Sequence, residues 1–75
     1  MMTEYAKLEQ QAADNERKAV AYIRAAEGAE ATGLPGADRI ARRHYANAER
    51  CQALARDLYA QALAAFSRST GLAAA

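Results

Sequence analysis

The sequence predicts an all-α fold: an antiparallel two-helix hairpin that dimerises into a four-helix bundle. Three observations lead there. Twenty-two of the 75 residues are alanine, the residue that loses least on entering a helix. Small and apolar residues recur at steps of three and four along two long stretches, the period of one helix face. Between the stretches lies Thr32-Gly33-Leu34-Pro35-Gly36, which reads as a helix stop followed by a helix start.

The first helix is expected over about residues 3–31. Thr3 suits the N-cap, and Glu4 places a negative charge at the positive end of the helix dipole. The inward stripe is Tyr5, Leu8, Ala12, Asn15, Ala19, Tyr22, Ala26 and Ala29. Asp14 and Lys18 stand one turn apart and are expected to pair. Asn15 falls within the stripe, where a polar residue can set register and oligomeric state.

The turn is expected over residues 32–36. Gly33 suits the left-handed position after the helix, and Leu34 the apolar position that folds back on the last turn. Pro35 cannot continue the first helix but can open the second. A connection of about three to five residues leaves an antiparallel hairpin as the simplest arrangement.

The second helix is expected over about residues 36–69. Asp38 lies in its first turn, within reach of Arg42. Its apolar arc is wide, from Ile40 and Leu54 round to Tyr45 and Leu63. Thr70-Gly71-Leu72 repeats the Thr-Gly-Leu stop of the first helix, and residues 71–75 are expected to fray. Residues 1–75 thus form a single domain.

Alanine brings one methyl group to an interface, so the hairpin is strongly helical but weakly held. Ordering costs about 1.5 kcal/mol per residue against a return of about 25 cal/mol per Å² of apolar area buried. One alanine-rich neighbour covers only part of the wide arc on the second helix. A two-fold homodimer is the simplest remedy.

Composition narrows the functional classes. The net charge is +1, with residues 1–31 acidic and residues 32–75 basic. An acidic half beside a basic half favours antiparallel pairing, within a chain or between chains. Cys51 is the single cysteine, so no disulfide forms within one chain and a reducing, cytoplasmic setting is expected. Neither a secretory leader nor a membrane-length apolar run is visible.

His44 and Cys51 lie on one side of the second helix. A metal-binding bundle could use them with nearby glutamates, but no ligand spacing supports it and no Glu-x-x-His occurs. The plainer reading is a small core cysteine and an edge histidine held by a hydrogen bond. Glu9, Glu16, Glu27 and Glu30 border the seam of the first helix, where they are expected to meet arginines. Neither a catalytic triad nor a glycine-rich phosphate loop is present, so no catalytic residue, cofactor or metal is expected.

The expected function is that of a small, non-enzymatic regulator or adaptor that binds protein as a helical homodimer. Its candidate contact residues are Arg39, Arg42, Arg43, Tyr45 and Arg50 on the second helix. The alternative is an RNA- or DNA-binding hairpin dimer that uses the same arginine edge. Against it stand the near-neutral charge and the absence of a helix-turn-helix or zinc-finger pattern.

Overall fold

The computed structural model describes residues 2–71. It holds two helices, α1 over Glu4–Thr32 and α2 over Ala37–Thr70, packed side by side as an antiparallel hairpin. Each helix begins and ends one residue later than expected. The molecule is a thin slab, with Cα extents of 56 × 25 × 11 Å. Its length follows from α2 alone: 34 residues at about 1.5 Å each span about 51 Å.

Capping sets the boundaries. Thr3 stays extended and its hydroxyl accepts the Ala6 N–H at 3.3 Å, satisfying one of the free donors at the helix start. At the far end Gly33 takes φ 64, and its N–H reaches the Glu30 carbonyl. Thr32 completes the stop: its hydroxyl donates to the Ala29 carbonyl at 2.7 Å and accepts the Leu34 N–H at 3.2 Å. Gly71 repeats the left-handed cap at φ 77, and Thr70 donates to the Phe66 carbonyl at 3.0 Å. The repeated Thr-Gly stop is therefore one chemical device used twice. Of the tail expected to fray over residues 71–75, Gly71 closes the helix, and residues 72–75, Leu72 among them, lie outside the described residues.

Two expectations about the turn change. Leu34 does not fold back on α1; it stands 66% exposed. Thr32 has taken its N–H, so the cap closes through a side chain and not through the backbone bond that would draw Leu34 inward. Pro35 does not open α2 either. It sits in the turn, and the helix starts after Gly36, whose φ of 87 reverses the chain. No side chain caps this second start; Asp38 supplies the only negative charge in its first turn.

The seam is made of alanine. On α1 the buried residues are Ala12, Ala19 and Ala26; on α2 they include Ala41, Ala48, Ala55 and Ala62. Each series steps by seven residues. A seven-residue repeat matches 3.5 residues per turn, the spacing that favours a left-handed winding of one helix on another. Methyl-sized knobs let the axes approach toward the lower end of the usual ~8–10 Å range. Ala37 and Ala65 complete the buried set at the two ends of α2. Among the described residues no large side chain is fully buried.

Candidate interaction surfaces

A seam so narrow leaves the larger side chains on the two broad faces of the slab. Counting in sevens from known contacts sorts them. Tyr45 donates its hydroxyl to Glu30 Oε1 at 2.8 Å, and Tyr59 donates to the Glu16 carboxylate. Glu9, Glu16, Ile23 and Glu30 of α1 therefore share one face with Tyr45, Gln52, Tyr59 and Phe66 of α2. Glu4 meets Arg68 at 3.6 Å. That contact places Gln11, Lys18, Ala25 and Thr32 on the opposite face, with Ile40, Asn47, Leu54 and Gln61.

The first face is a tyrosine–glutamate ladder. The expected partners of its glutamates were arginines, and Glu16 and Glu30 instead accept tyrosine hydroxyls. A phenol on the neighbouring helix reaches a carboxylate without moving a charge out of water, and among the described residues no arginine of α2 comes within 4.0 Å of Glu16 or Glu30; Arg68 meets Glu4 instead. The hydrogen bond to Glu30 holds the Tyr45 phenol above its ordinary pKa, helped by burial and by the charges of Glu30 and Glu27. The bond to Glu16 raises Tyr59 in the same way, with burial and the charges of Glu16 and Glu9 adding to it. Beside the ladder, Tyr59, Leu63 and Phe66 line a shallow groove with Glu9. Tyr5 closes its end with its ring edge-on to Phe66, centroids 5.2 Å apart.

The second face is less charged. Ile40 and Leu54 stand 54% and 51% exposed on it. Beneath them the half-buried Tyr22 and His44 rings lie 5.9 Å apart at a tilt. His44 was expected to be an edge residue held by a hydrogen bond. Its Nδ1 is instead shut off from solvent with nothing to bond, because the surrounding seam offers methyl groups. Cys51 is free and half-buried, at the edge of the seam and not in the core where the plainer reading placed it. Asn15 donates to the Gln11 carbonyl of its own helix at 2.9 Å, so this amide N–H sets no register between helices.

The five candidate contact residues do not form one surface. Arg39 and Arg43 come together around Ile40 and His44 in a small hollow, and Arg50 follows along the same edge, bonded to Asn47 at 3.3 Å. Arg42 is turned about 60° from Arg39 toward the other face. Tyr45 lies farther round, with its hydroxyl already engaged by Glu30. Among the described residues, none of these four arginines has a carboxylate within 4.0 Å. The expected Asp38–Arg42 and Asp14–Lys18 pairs do not form; Asp14 takes Arg17, three residues on, where the guanidinium fork reaches back along the helix.

Sequence reasoning missed the tyrosine–glutamate ladder. The signal was present: Glu16 and Glu30 stand fourteen residues apart, as do Tyr45 and Tyr59, so two seven-residue repeats bring both pairs into step. Among the described residues no three His, Cys, Asp or Glu side chains converge as metal ligands. Among them, too, no helix is long and apolar enough to cross a membrane. No family model matches the chain, and neither a curated protein nor a solved structure is detectably similar to it.

Proposed function

We propose that this chain is a small, non-enzymatic adaptor or regulator that acts by binding protein, itself assembled as a helical homodimer. One observation carries the reading. Among the described residues every buried one is an alanine, while Ile40, Leu54, Leu63 and Phe66 remain exposed. Large apolar side chains provide most of the hydrophobic stabilisation available to a small domain, and here they face outward. A chain built so gains stability by association.

The grooves that the slab offers are shallow and open along the helices, a form that suits another helix better than a small molecule. Arg39 and Arg43 flank Ile40 and carry no carboxylate of their own. They support an acidic protein partner at that edge, and they are what keeps nucleic-acid binding as the second reading. A nucleic acid predicts affinity that falls steeply with salt.

The test of association is a thermal melt at two concentrations a hundredfold apart, read by circular dichroism. Folding coupled to assembly raises the melting temperature at the higher concentration. A sharp melt at the same temperature in both samples refutes the dimer.

A further inference from the structure

We infer that the face carrying Ile40 and Leu54 receives a second copy of this chain, with Ile40 of each copy lying over Gly28 of the other. This rests on the dimer reading above and goes beyond it by naming the surface and its geometry.

The area comes first. A compact monomer of 8.1 kDa exposes roughly 4,500 Å² by the size scaling of folded proteins. This chain exposes 5555 Å². The excess is about 1,000 Å², more than the ~800 Å² that each partner contributes to a stable interface.

Charge then selects the face. A two-fold axis on the tyrosine–glutamate side would set Glu9, Glu16 and Glu30 against their own copies. On the opposite side the two inner edges carry one unpaired charge, Lys18, between the Glu4–Arg68 pair and the turn. Arg43 and Arg50 stay at the rim, where they can remain solvated. The two copies thus bring one like charge each, Lys18, into this interface, against three glutamates each on the other face.

Gly28 supplies an independent sign. It sits inside α1, with no positive φ. A methyl group added there would meet nothing within 4 Å. Glycine inside a helix costs about 1 kcal/mol relative to alanine, and nothing within the hairpin requires it. Close approach of another helix does. Tyr22 meets His44 and Glu30 meets Tyr45, so Ile40 stands level with the last turns of α1, where Gly28 lies. A two-fold axis parallel to the long axis preserves those heights and lays α2 of one copy across α1 of the other. It brings the Ile40 knob over the gap at Gly28, once on each side of the axis.

Sedimentation equilibrium of the full chain and three variants tests this. Gly28→Leu adds a good helix former to a position with free space in the hairpin, so helicity holds by circular dichroism. Its dimer should weaken at least tenfold, as should that of Ile40→Glu. Leu63→Glu, on the opposite face, should dimerise like the parent. A parent dimer that survives Gly28→Leu and Ile40→Glu, or is lost in Leu63→Glu, overturns the assignment of the face while leaving dimerisation intact. A parent chain that is monomeric throughout the micromolar range overturns both.

Discussion

Replacing Ala19 with leucine should destabilise the hairpin, although it makes the seam more hydrophobic. Ala19 is 2% exposed and lies midway along α1, between Ala12 and Ala26, each 0% exposed. By transfer alone, three added carbons would contribute about 2.4 kcal/mol at about 0.8 kcal/mol per buried CH₂. The space for them does not exist, because the opposite helix presents Ala41, Ala48, Ala55 and Ala62 at close approach. The helices must part at mid-length, toward the upper end of the ~8–10 Å interaxial range. Separation there loosens the alanine contacts on both sides of the site. Overpacking of a closed interface costs about 1–3 kcal/mol. For a domain of this size each kcal/mol moves the melting temperature by about 4–8 °C. The expected fall is therefore about 4–24 °C, read by circular dichroism at fixed chain concentration. A melting temperature equal to or above that of the parent would refute the account of the seam as closed and alanine-specified.

Two further outcomes follow from local geometry. Gly36→Ala should lower stability by about 1–2 kcal/mol, because its φ of 87 lies where a Cβ meets the following carbonyl; urea denaturation measures this, and an unchanged midpoint contradicts it. The pH response comes from Tyr45 and Tyr59. Both phenols are raised above their ordinary value by hydrogen bonds to Glu30 and Glu16. In the pH range between the unfolded and folded pKa, the unfolded chain loses these protons and the folded chain keeps them. The stability they contribute is thus complete below about pH 10 and is lost as pH rises through the folded pKa. Ultraviolet titration at 295 nm should show two of the four tyrosines ionising late, and Tyr45→Phe with Tyr59→Phe should remove that late phase. Four tyrosines titrating together would disprove the ladder.

Much of the architecture was legible because local chemistry decided it. Thr3 caps, Gly33 and Gly71 turn left-handed, and alanine at steps of three and four favours helix whatever lies beside it. Each of these acts within about one helical turn, so a string of letters contains the cause. The same locality explains the errors. Leu34 fits the apolar fold-back position, but the Thr32 hydroxyl two residues earlier competes for its N–H and wins. Asp14 had two bases in reach, Arg17 and Lys18, and helix spacing alone does not choose between them.

The candidate surfaces were less legible, since they depend on how one helix lies against the other. The wide apolar arc of α2 was visible in the sequence, and so was the arginine edge formed by Arg39, Arg43 and Arg50. That the Tyr45 hydroxyl is already engaged by Glu30 required the register. So did the partners of Glu16 and Glu30, which proved to be phenols and not guanidinium groups.

From the sequence alone came the two rods, their ends and the reversal between them, because alanine, threonine caps and left-handed glycines exert their effect on the nearest backbone. Only tertiary packing decided which alanines disappear and which large side chains stay outside. Its physical reason is size. Two helices meeting on methyl groups come so close that the centre of the seam has room for nothing larger; Leu8, Ile23 and Leu58 stay half-buried, and Ile40, Leu54, Leu63 and Phe66 are left exposed on the broad faces.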